Sequence, residues 1–300
     1  MQIEQHIAVM VDGGPHEQER AARELGILAS YDDATQAAIA ASGGIPPLVQ
    51  LLGSNSIGVQ EEAASALANL ADNHDGNKAA IAASGAIPAL VQLLGSGRED
   101  VQEIAAWALA NLADNNDANQ AASATAGAIP PLVRLLGSWS EGVQEGAAGA
   151  LGNLSFDDAN RAAIAAARAI PRLVRLLGSG SACVQKEAAM TLGNLAANDA
   201  NQVAIAAAGA IPPLVQLLGN GSEGVQVHAA RALGNLAVNN CANKADIAAA
   251  GAIPPLVQLL GSGSAGVQKE AAMALGNLAH NDANQAAIAA SGAIPPWCGC

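Results

Sequence analysis

Two glycine-rich segments have a spacing that could bind a dinucleotide. They match the pattern GxGxxG at Gly219, Gly221 and Gly224, and again at Gly261, Gly263 and Gly266. In dinucleotide-binding proteins this pattern follows a β-strand and opens a helix, so that the backbone can approach the pyrophosphate. Here each segment follows a helical pattern, no strand pattern is readable, and the same place elsewhere reads GSNSIG, GSGRED or GSWSEG. We therefore expect loops between helices at both positions.

The other residue types that support catalysis or metal binding are scattered. The five histidines are His6, His16, His74, His228 and His280. None has a second metal ligand at a suitable spacing, and none forms a nucleophile motif with Cys or Ser. Paired carboxylates lie where helices are expected to begin, at Asp32 and Asp33 and at Asp157 and Asp158, which is typical of helix caps. The CxC of Cys298 and Cys300 has no second ligand pair nearby. We expect no enzyme activity, no metal and no cofactor.

One polar residue recurs in register. It is an asparagine in apolar phrases such as AAWALANLA (residues 105–113), and its six positions are Asn69, Asn111, Asn153, Asn194, Asn235 and Asn277. Each Asn follows an apolar Leu such as Leu109 by two residues, which is about 200° around a helix, so we expect it to point away from the core. Asn is a weak helix former, and its amide carries a donor and an acceptor that match the backbone of an extended peptide. A bond to a neighbouring repeat or carbonyl, or recent duplication, would also explain the row.

The residues one turn before these asparagines would flank the same surface. They are Ser65, Trp107, Gly149, Met190, Arg231 and Met273. Trp107 could anchor a cationic or apolar side chain, or pack on its neighbours. Acidic residues near the same face are Glu61, Glu62, Glu103, Glu145, Glu187 and Glu270, the last two accompanied by Lys186 and Lys269. We expect the first three repeats to be the most negative, although acidic residues at helix starts also complement the helix dipole.

An internal repeat positions all of these residues. The phrase GAIPPLVQLLG recurs with its Ile at 45, 87, 129, 170, 211, 253 and 294, a spacing of 41 or 42 residues. Ile87, Leu90, Val91 and Leu94 share one helical face, and Pro88 suits a first turn. A long helix, VQEIAAWALANLA, follows, and then a short helix over about residues 118–126. The pattern predicts an all-α solenoid with three helices per repeat.

The phrases NKAAIAASGAIPALVQLL and EDVQEIAAWALANLA, with a period near 42, resemble the armadillo repeat over about residues 16–296. Residues 147–161, AAGALGNLSFDDANR, are similar to plant U-box-associated and vacuolar armadillo adaptors, and WALAN resembles the nuclear import adaptors. The resemblance implies a right-handed superhelix with a concave groove, in which the recurrent asparagines contact peptide backbone. Import adaptors use rows of Trp–Asn pairs, whereas Trp precedes Asn in this way only once here.

We divide the chain by this period. Residues 1–42 form an N-terminal partial or capping repeat, in which Ile27 takes the place of the recurrent Asn. Full repeats span residues 43–84, 85–126, 127–167, 168–208, 209–250 and 251–291, and residues 292–300 begin a further repeat. Such an end predicts an uncapped apolar face, and thus a fragment of a longer protein or end-to-end self-association.

Charge is distributed unevenly along the chain. The net charge of −13 falls entirely in residues 1–150, which hold 18 acidic and 5 basic side chains, whereas residues 151–300 hold 8 of each. Such a surface disfavours nucleic acid and attracts basic partners, or serves solubility alone. The start MQIEQHIAVM is unlike a signal peptide, and the uncharged residues 200–222 read as a buried helix pair rather than a membrane span. Four scattered cysteines suit a reducing compartment, the cytoplasm or nucleus.

We therefore predict a non-enzymatic scaffold that binds an extended, basic peptide along the groove. The predicted contacts are Asn69, Asn111, Asn153, Asn194, Asn235, Asn277, Trp107, Glu62, Glu103 and Arg231. The alternatives are a substrate-binding module of a larger protein such as a ubiquitin ligase, an import-adaptor-like cargo binder, and a purely structural array. A separate basic patch is expected on the convex side, at Arg134, Arg168, Arg172 and Arg175, and Arg168 replaces a glycine where a positive φ is wanted.

Overall fold

The computed structural model describes residues 2–292, and all the regular secondary structure within that range is helical. Two helices open the chain, α1 (Gln2–Asp12) and α2 (Pro15–Ala29). After them, a nine-residue medium helix, a short helix and a long helix alternate, with a last medium helix ending at Ala290. The predicted start of a further repeat, residues 292–300, lies outside the described residues except for Gly292.

The three kinds of helix follow one another in a fixed order. The medium helices are α3 (Asp33–Ala41), α6 (Asp75–Ala83), α9 (Asp117–Thr125), α12 (Asp158–Ala166), α15 (Asp199–Ala207), α18 (Cys241–Ala249) and α21 (Asp282–Ala290). The short helices are α4 (Ile45–Leu51), α7 (Ala86–Leu93), α10 (Ile129–Leu135), α13 (Ala169–Leu176), α16 (Ile211–Asn220) and α19 (Ile253–Leu259). The long helices are α5 (Ile57–Ala71), α8 (Glu99–Ala113), α11 (Glu141–Leu154), α14 (Ala182–Leu195), α17 (Glu223–Ala237) and α20 (Ala265–Leu278).

Local sequence explains where these helices begin. Medium helices start after a polar cap, as at Asn116, whose Oδ1 accepts from the backbone N–H of Asn119 across 3.0 Å. Asp32 caps α3 in the same way, accepting from the N–H of Thr35 across 2.7 Å, and the backbone hydrogen bond lowers the pKa of Asp32. Several long helices start after a serine, and Ser140 accepts from the N–H of Val143. The prediction that the paired aspartates cap helices is thus confirmed.

A left-handed residue separates most medium helices from the short helix that follows. Glycine occupies this junction at Gly43, Gly85, Gly127, Gly209, Gly251 and Gly292, with φ between 79° and 85°. Arg168 takes the same place with φ 63°, as the sequence predicted. Because a Cβ atom makes this conformation unfavourable, Arg168 holds a backbone strain that its glycine counterparts lack.

The core consists of small and branched aliphatic side chains. On α8, the predicted stripe Val101, Ala105, Leu109 and Leu112 is fully buried, which confirms the helical periodicity. Small residues also bring consecutive long helices close together. A Cβ atom at Gly26 would lie 3.3 Å from the Cα of Ala66. This close approach lets a side chain of one long helix reach the backbone of the one before it.

The chain divides into two compact units, residues 1–160 and 161–300. In the first unit the long helices α5, α8 and α11 pack in sequence, and α2 packs against α5 as their N-terminal neighbour. In the second unit α14, α17 and α20 pack in the same way. Each unit therefore presents a row of parallel long-helix faces. The face that carries the recurrent asparagines and the residues one and two turns before them is called the ladder face below.

No single described helix is both long enough and apolar enough to cross a membrane. Helices α15 and α16 pass a test of length and composition only when taken together, and they are bent by 81° at their junction.

Candidate functional site

The recurrent asparagines link consecutive repeats through one repeated hydrogen bond. In five of them the Nδ2 atom donates to a backbone carbonyl of the preceding long helix across 2.9–3.0 Å. The pairs are Asn69 with Gly26, Asn111 with Ala68, Asn153 with Ala110, Asn235 with Gly193 and Asn277 with Gly234. Asn194 occupies the same place on α14 and is half-buried like the others. Each acceptor is the residue just before the preceding ladder position.

Helix geometry explains why those carbonyls need a partner. The last four carbonyls of an α-helix have no intrahelical donor. Helix α5 ends at Ala71, so Ala68 is the first of the four, and Asn111 supplies its donor. The next two carbonyls are also capped by side-chain amides, Asn69 O by Gln36 Nε2 and Leu70 O by Asn77 Nδ2, both across 2.9 Å. Ladder asparagines thus cap the long helix of the repeat before their own.

This arrangement changes what the ladder offers to a ligand. We predicted side chains that face away from the core, and the structure instead half-buries them and commits Nδ2 to the neighbouring repeat. A hydrogen bond to a neighbouring repeat was the second explanation that the sequence offered for the recurrent asparagines. In Asn69, Asn111, Asn153, Asn235 and Asn277, however, Oδ1 accepts no hydrogen bond from residues 2–292. The ladder face therefore carries a row of amide acceptors rather than freely rotating amides.

An acidic cavity lies on the ladder face between α5 and α8. Its volume is about 270 Å³, and its lining consists of Glu61, Glu62, Ser65, Asp100, Glu103 and Ile104. Glu61 and Glu103 hold equivalent positions, two turns before Asn69 and Asn111. Four carboxylates therefore share one small space in register with two ladder asparagines. The wall formed by Ser65 and Ile104 leaves room for an aliphatic stem beside them.

Only part of this negative charge is neutralised. Glu62 pairs with Arg23 across 2.8 Å, and Asp100 bonds to Arg98. Glu61 makes no hydrogen bond or ion pair with any described residue. Burial raises the pKa of the Glu61 carboxyl, and the charges of Asp100 and Glu62 raise it further. A cation entering the cavity would relieve this repulsion.

The structure also places the other predicted contacts. The Glu103 carboxylate lies close to Gly142 in the first turn of α11, where a negative charge complements the helix dipole. The Trp107 ring is half-buried and lies over Gly146, where an added Cβ would be 3.4 Å from Cδ1. Arg231 pairs with Glu270 of the next long helix across 2.9 Å.

The glycine-rich segments and the scattered ligands form no site within residues 2–292. Gly219 and Gly221 end α16 and Gly224 lies in the first turn of α17, so that segment joins two helices, as predicted. No group of three or more His, Cys, Asp or Glu side chains in the described part comes close enough to hold a metal ion. Cys298 and Cys300 lie outside the described residues.

A second row of polar residues, most of which cap the ends of long helices, was missed from the sequence. It lies in the first turn of each medium helix, at Gln36, Lys78, Gln120, Arg161, Gln202, Lys244 and Gln285. Gln120 Nε2 donates to Ala113 O and Gln202 Nε2 to Ala196 O, so this row also caps long helices. Its spacing of 41 or 42 residues was visible, but its role depended on which helix end it reaches.

Known proteins were compared with this chain. The family model described as "Armadillo/beta-catenin-like repeat" matches residues 32–72, 74–114, 116–156, 157–197, 198–238 and 240–280. The chain belongs to the armadillo repeat family. The family's repeats begin near the medium helix, whereas the repeats defined above begin near the short helix, and both contain the same three helices. No curated protein matches.

Solved structures support the same armadillo fold. An engineered protein is 40% identical, with a TM-score of 0.91 over 98% of this chain and 72% of that chain. A designed armadillo repeat protein is 34% identical, with a TM-score of 0.74 over 78% of this chain and 99% of that one. Another designed armadillo repeat protein, in complex with the peptide (KR)4, is 34% identical with a TM-score of 0.71 over 78% and 99%.

Proposed function

We propose that this armadillo protein binds an extended, basic peptide on the ladder face of its first unit. The observation that carries the proposal is the acidic cavity between α5 and α8, which holds four carboxylates in register with Asn69 and Asn111. One lysine or arginine side chain would enter the cavity and lie closest to Glu61, which makes no hydrogen bond or ion pair with any described residue. The peptide backbone would donate to the open Oδ1 atoms of the ladder.

Spacing supports an extended ligand over a folded one. Ladder asparagines recur once per repeat, and each offers one acceptor, so a chain with regularly exposed N–H groups satisfies several of them at once. Trp107 lies one turn before Asn111, and its half-buried ring lies over Gly146 of α11, where it offers an apolar surface suited to the stem of a second cationic side chain of the same peptide. A similar protein, the designed armadillo repeat protein with the (KR)4 peptide, has a ligand of this chemistry.

Fluorescence anisotropy with a labelled (Lys-Arg)4 peptide tests the proposal. We expect the double variant Glu61→Gln/Glu103→Gln to bind at least about tenfold more weakly, since each lost charge-assisted contact contributes about 1.5–3 kcal/mol before solvent screening. A control for the loss of surface charge is Asp117→Asn, which removes one exposed carboxylate in the first turn of α9. This control should bind within about twofold of the wild type, because exposed charges are screened.

Salt provides a second readout. Affinity of the wild type for (Lys-Arg)4 should fall as salt is added, and the double variant should show a smaller dependence. Equal binding of (Lys-Arg)4 by the wild type, the double variant and Trp107→Ala at low salt would rule out this cavity as the binding site.

The other functions predicted from the sequence remain proposals. A substrate-binding module of a larger protein such as a ubiquitin ligase, and an import-adaptor-like cargo binder, would both use this face, in the cytoplasm or nucleus. A structural array would associate end to end instead. Light scattering over a hundredfold concentration range separates an assembling array from a peptide-binding monomer, because only the former gains mass.

A further inference from the structure

Lys244 is a buried lysine in the second unit with no partner for its charge. It lies in the first turns of α18 and is 7% exposed. Its ammonium makes no hydrogen bond or ion pair with any residue in the range 2–292. Burying a charged group without a partner is strongly unfavourable. The free energy cost of this burial falls where a negatively charged group can bind the ammonium.

Lys78 is the counterpart of Lys244 in the first unit, and both its hydrogen-bonding capacity and its charge are matched by neighbouring groups. Lys78 is 2% exposed, and its Nζ donates to Asp114 O across 2.8 Å. Two carboxylates also face it, Asp75 Oδ1 at 3.4 Å and Asp114 Oδ2 at 3.6 Å. Its charge is therefore balanced within the protein.

Both of those carboxylates are replaced around Lys244. Three residues before the lysine, Cys241 stands where the other repeat has Asp75. Three residues after the ladder asparagine of the next long helix, His280 stands where the other repeat has Asp114. The repeat that contains Lys244 therefore has the lysine but neither of the two carboxylates that face Lys78.

An open cavity lies next to this lysine. Its volume is about 200 Å³, and it is lined by Ala237, Val238, Asn239, Lys244, Asn277 and His280. The lining contains hydrogen-bond donors and no carboxylate. The Nδ1 atom of His280 is 2.9 Å from Gly276 O, and because a carbonyl oxygen only accepts, Nδ1 carries a proton.

From these observations we infer that this cavity binds the carboxylate of an aspartate or glutamate side chain on a bound peptide segment. The inference rests on the proposed function, since Asn277 belongs to the ladder and also lines the cavity. Asn277 Nδ2 is committed to Gly234 O across 3.0 Å, and its Oδ1 is open to a peptide N–H. A peptide residue held there would place its side chain beside Lys244. The second unit would thus bind acidic peptide segments, whereas the first unit would bind basic peptide segments.

The test compares two peptides on the full chain. Acetyl-(Gly-Glu)3-amide and its neutral analogue acetyl-(Gly-Gln)3-amide, each labelled with the same fluorophore, are titrated by anisotropy. We expect the acidic peptide to bind the wild type at least about tenfold more tightly, the difference expected for one charge-assisted contact. Lys244→Gln should remove this preference, because glutamine is the residue that most repeats carry at this position.

Lys78→Gln is the matched control. It replaces a lysine that is also buried but whose charge is already balanced, so it should leave the acidic-peptide affinity within about twofold. A second variant, His280→Asp, supplies the counter-charge that Lys78 has, and it should abolish the preference while keeping Lys244. This variant keeps the inference testable if Lys244→Gln does not fold.

Three results would overturn the inference. The first is equal affinity of the wild type for the two peptides, and the second is an equal loss of acidic-peptide affinity in Lys244→Gln and Lys78→Gln. The third is displacement of the acidic peptide by millimolar inorganic phosphate at constant ionic strength, which would make a free anion the ligand. Binding of (Lys-Arg)4 is measured on the same variants. If it is lost only in Glu61→Gln/Glu103→Gln, the proposed function stands whatever the result for Lys244.

Discussion

The Nδ2 atom of Asn111 donates to the carbonyl of Ala68 across 3.0 Å and so joins the last turn of one long helix to the last turn of the one before it. The bond satisfies a backbone acceptor, because Ala68 O has no intrahelical donor. It also orients the amide, since a side chain fixed through Nδ2 has its Oδ1 fixed as well. The same side chain thus supports the fold and would serve the peptide binding proposed above, and the two roles need separate measurements.

Replacing Asn111 by Ala should destabilise the fold. The half-buried carbonyl of Ala68 loses its side-chain donor, and one net hydrogen bond contributes about 1 kcal/mol to stability. Urea unfolding followed by circular dichroism measures the loss. Asn55→Ala, at an exposed loop position, is the control and should change stability by less than about 0.5 kcal/mol. If both variants unfold at the same urea concentration as the wild type, the ladder bond contributes nothing to stability.

Replacing Arg168 by Gly should stabilise the protein. Arg168 has a φ of 63°, and a left-handed conformation costs about 1–2 kcal/mol for a residue with a Cβ, partly offset by the greater chain entropy of glycine. We expect a net gain of about 0.5–1 kcal/mol. Arg172→Gly, in the interior of the regular helix α13, is the opposite control and should lose a similar amount. A melting temperature that falls in Arg168→Gly would contradict the strain.

Much of the fold could be predicted from the sequence, because the same pattern of apolar, proline and glycine positions recurs in six repeats. The Ile-Pro spacing located each short helix, and the glycine junctions located the positive φ values, which Arg168 keeps although it is not a glycine. The ladder was harder to interpret. Helical period showed the angle of Asn111, but whether its amide meets solvent or Ala68 depends on how closely two long helices approach. That distance is set by small residues such as Gly26 and Ala66, whose contact joins positions about 40 residues apart.

The sequence indicated acidic residues on this face, but it could not show the cavity that they line or the unbalanced charge of Lys244, for a related reason. Glu61 and Asp100 come together only when α5 and α8 pack side by side. Lys244 reads as an ordinary surface lysine until its burial is known. The useful signal was nevertheless present: Cys241 and His280 replace the two aspartates at fixed repeat positions. Comparing repeats with each other, position by position, would have revealed it.

Replacing Glu61 by Gln should stabilise the protein at neutral pH. Because burial raises the pKa of this carboxyl above its ordinary value of 4.5, the folded state disfavours the charged form. Stability is therefore lost as the pH rises from about 4.5 through the raised pKa, and the loss persists above it. Solvent screening limits the gain in Glu61→Gln to a few tenths of a kcal/mol. Urea unfolding at pH 7 and below pH 4 should show the difference shrinking at acid pH; an equal difference at both would contradict the pKa direction.

His228 should make the second unit sensitive to acid. Burial, with the charges of Arg231 and Lys186, lowers its pKa to about 4 from 6.5. The unfolded chain then binds more protons between these values, so His228 contributes stability that is present above pH 6.5 and lost as the pH falls towards 4. His228→Leu, of similar volume and unable to titrate, should show a smaller loss of melting temperature over that range. His16→Leu, at an exposed position on α2, should behave like the wild type.

Binding of the (Lys-Arg)4 peptide should release protons at mildly acid pH. A cation in the cavity favours the ionised form of Glu61 and draws its raised pKa back down. Near that pKa some Glu61 is protonated before binding and less is protonated after it, so protons leave as the peptide arrives. The affinity should therefore increase as the pH rises from about 4.5 through the raised pKa, and then level off.

Titration calorimetry in two buffers of different ionisation enthalpy, at several pH values above 4.5, measures the released protons. In Glu61→Gln the release should shrink, whereas in Asp117→Asn it should stay as in the wild type. Proton uptake, or a release unchanged by Glu61→Gln, would show that the peptide does not bind beside this carboxylate.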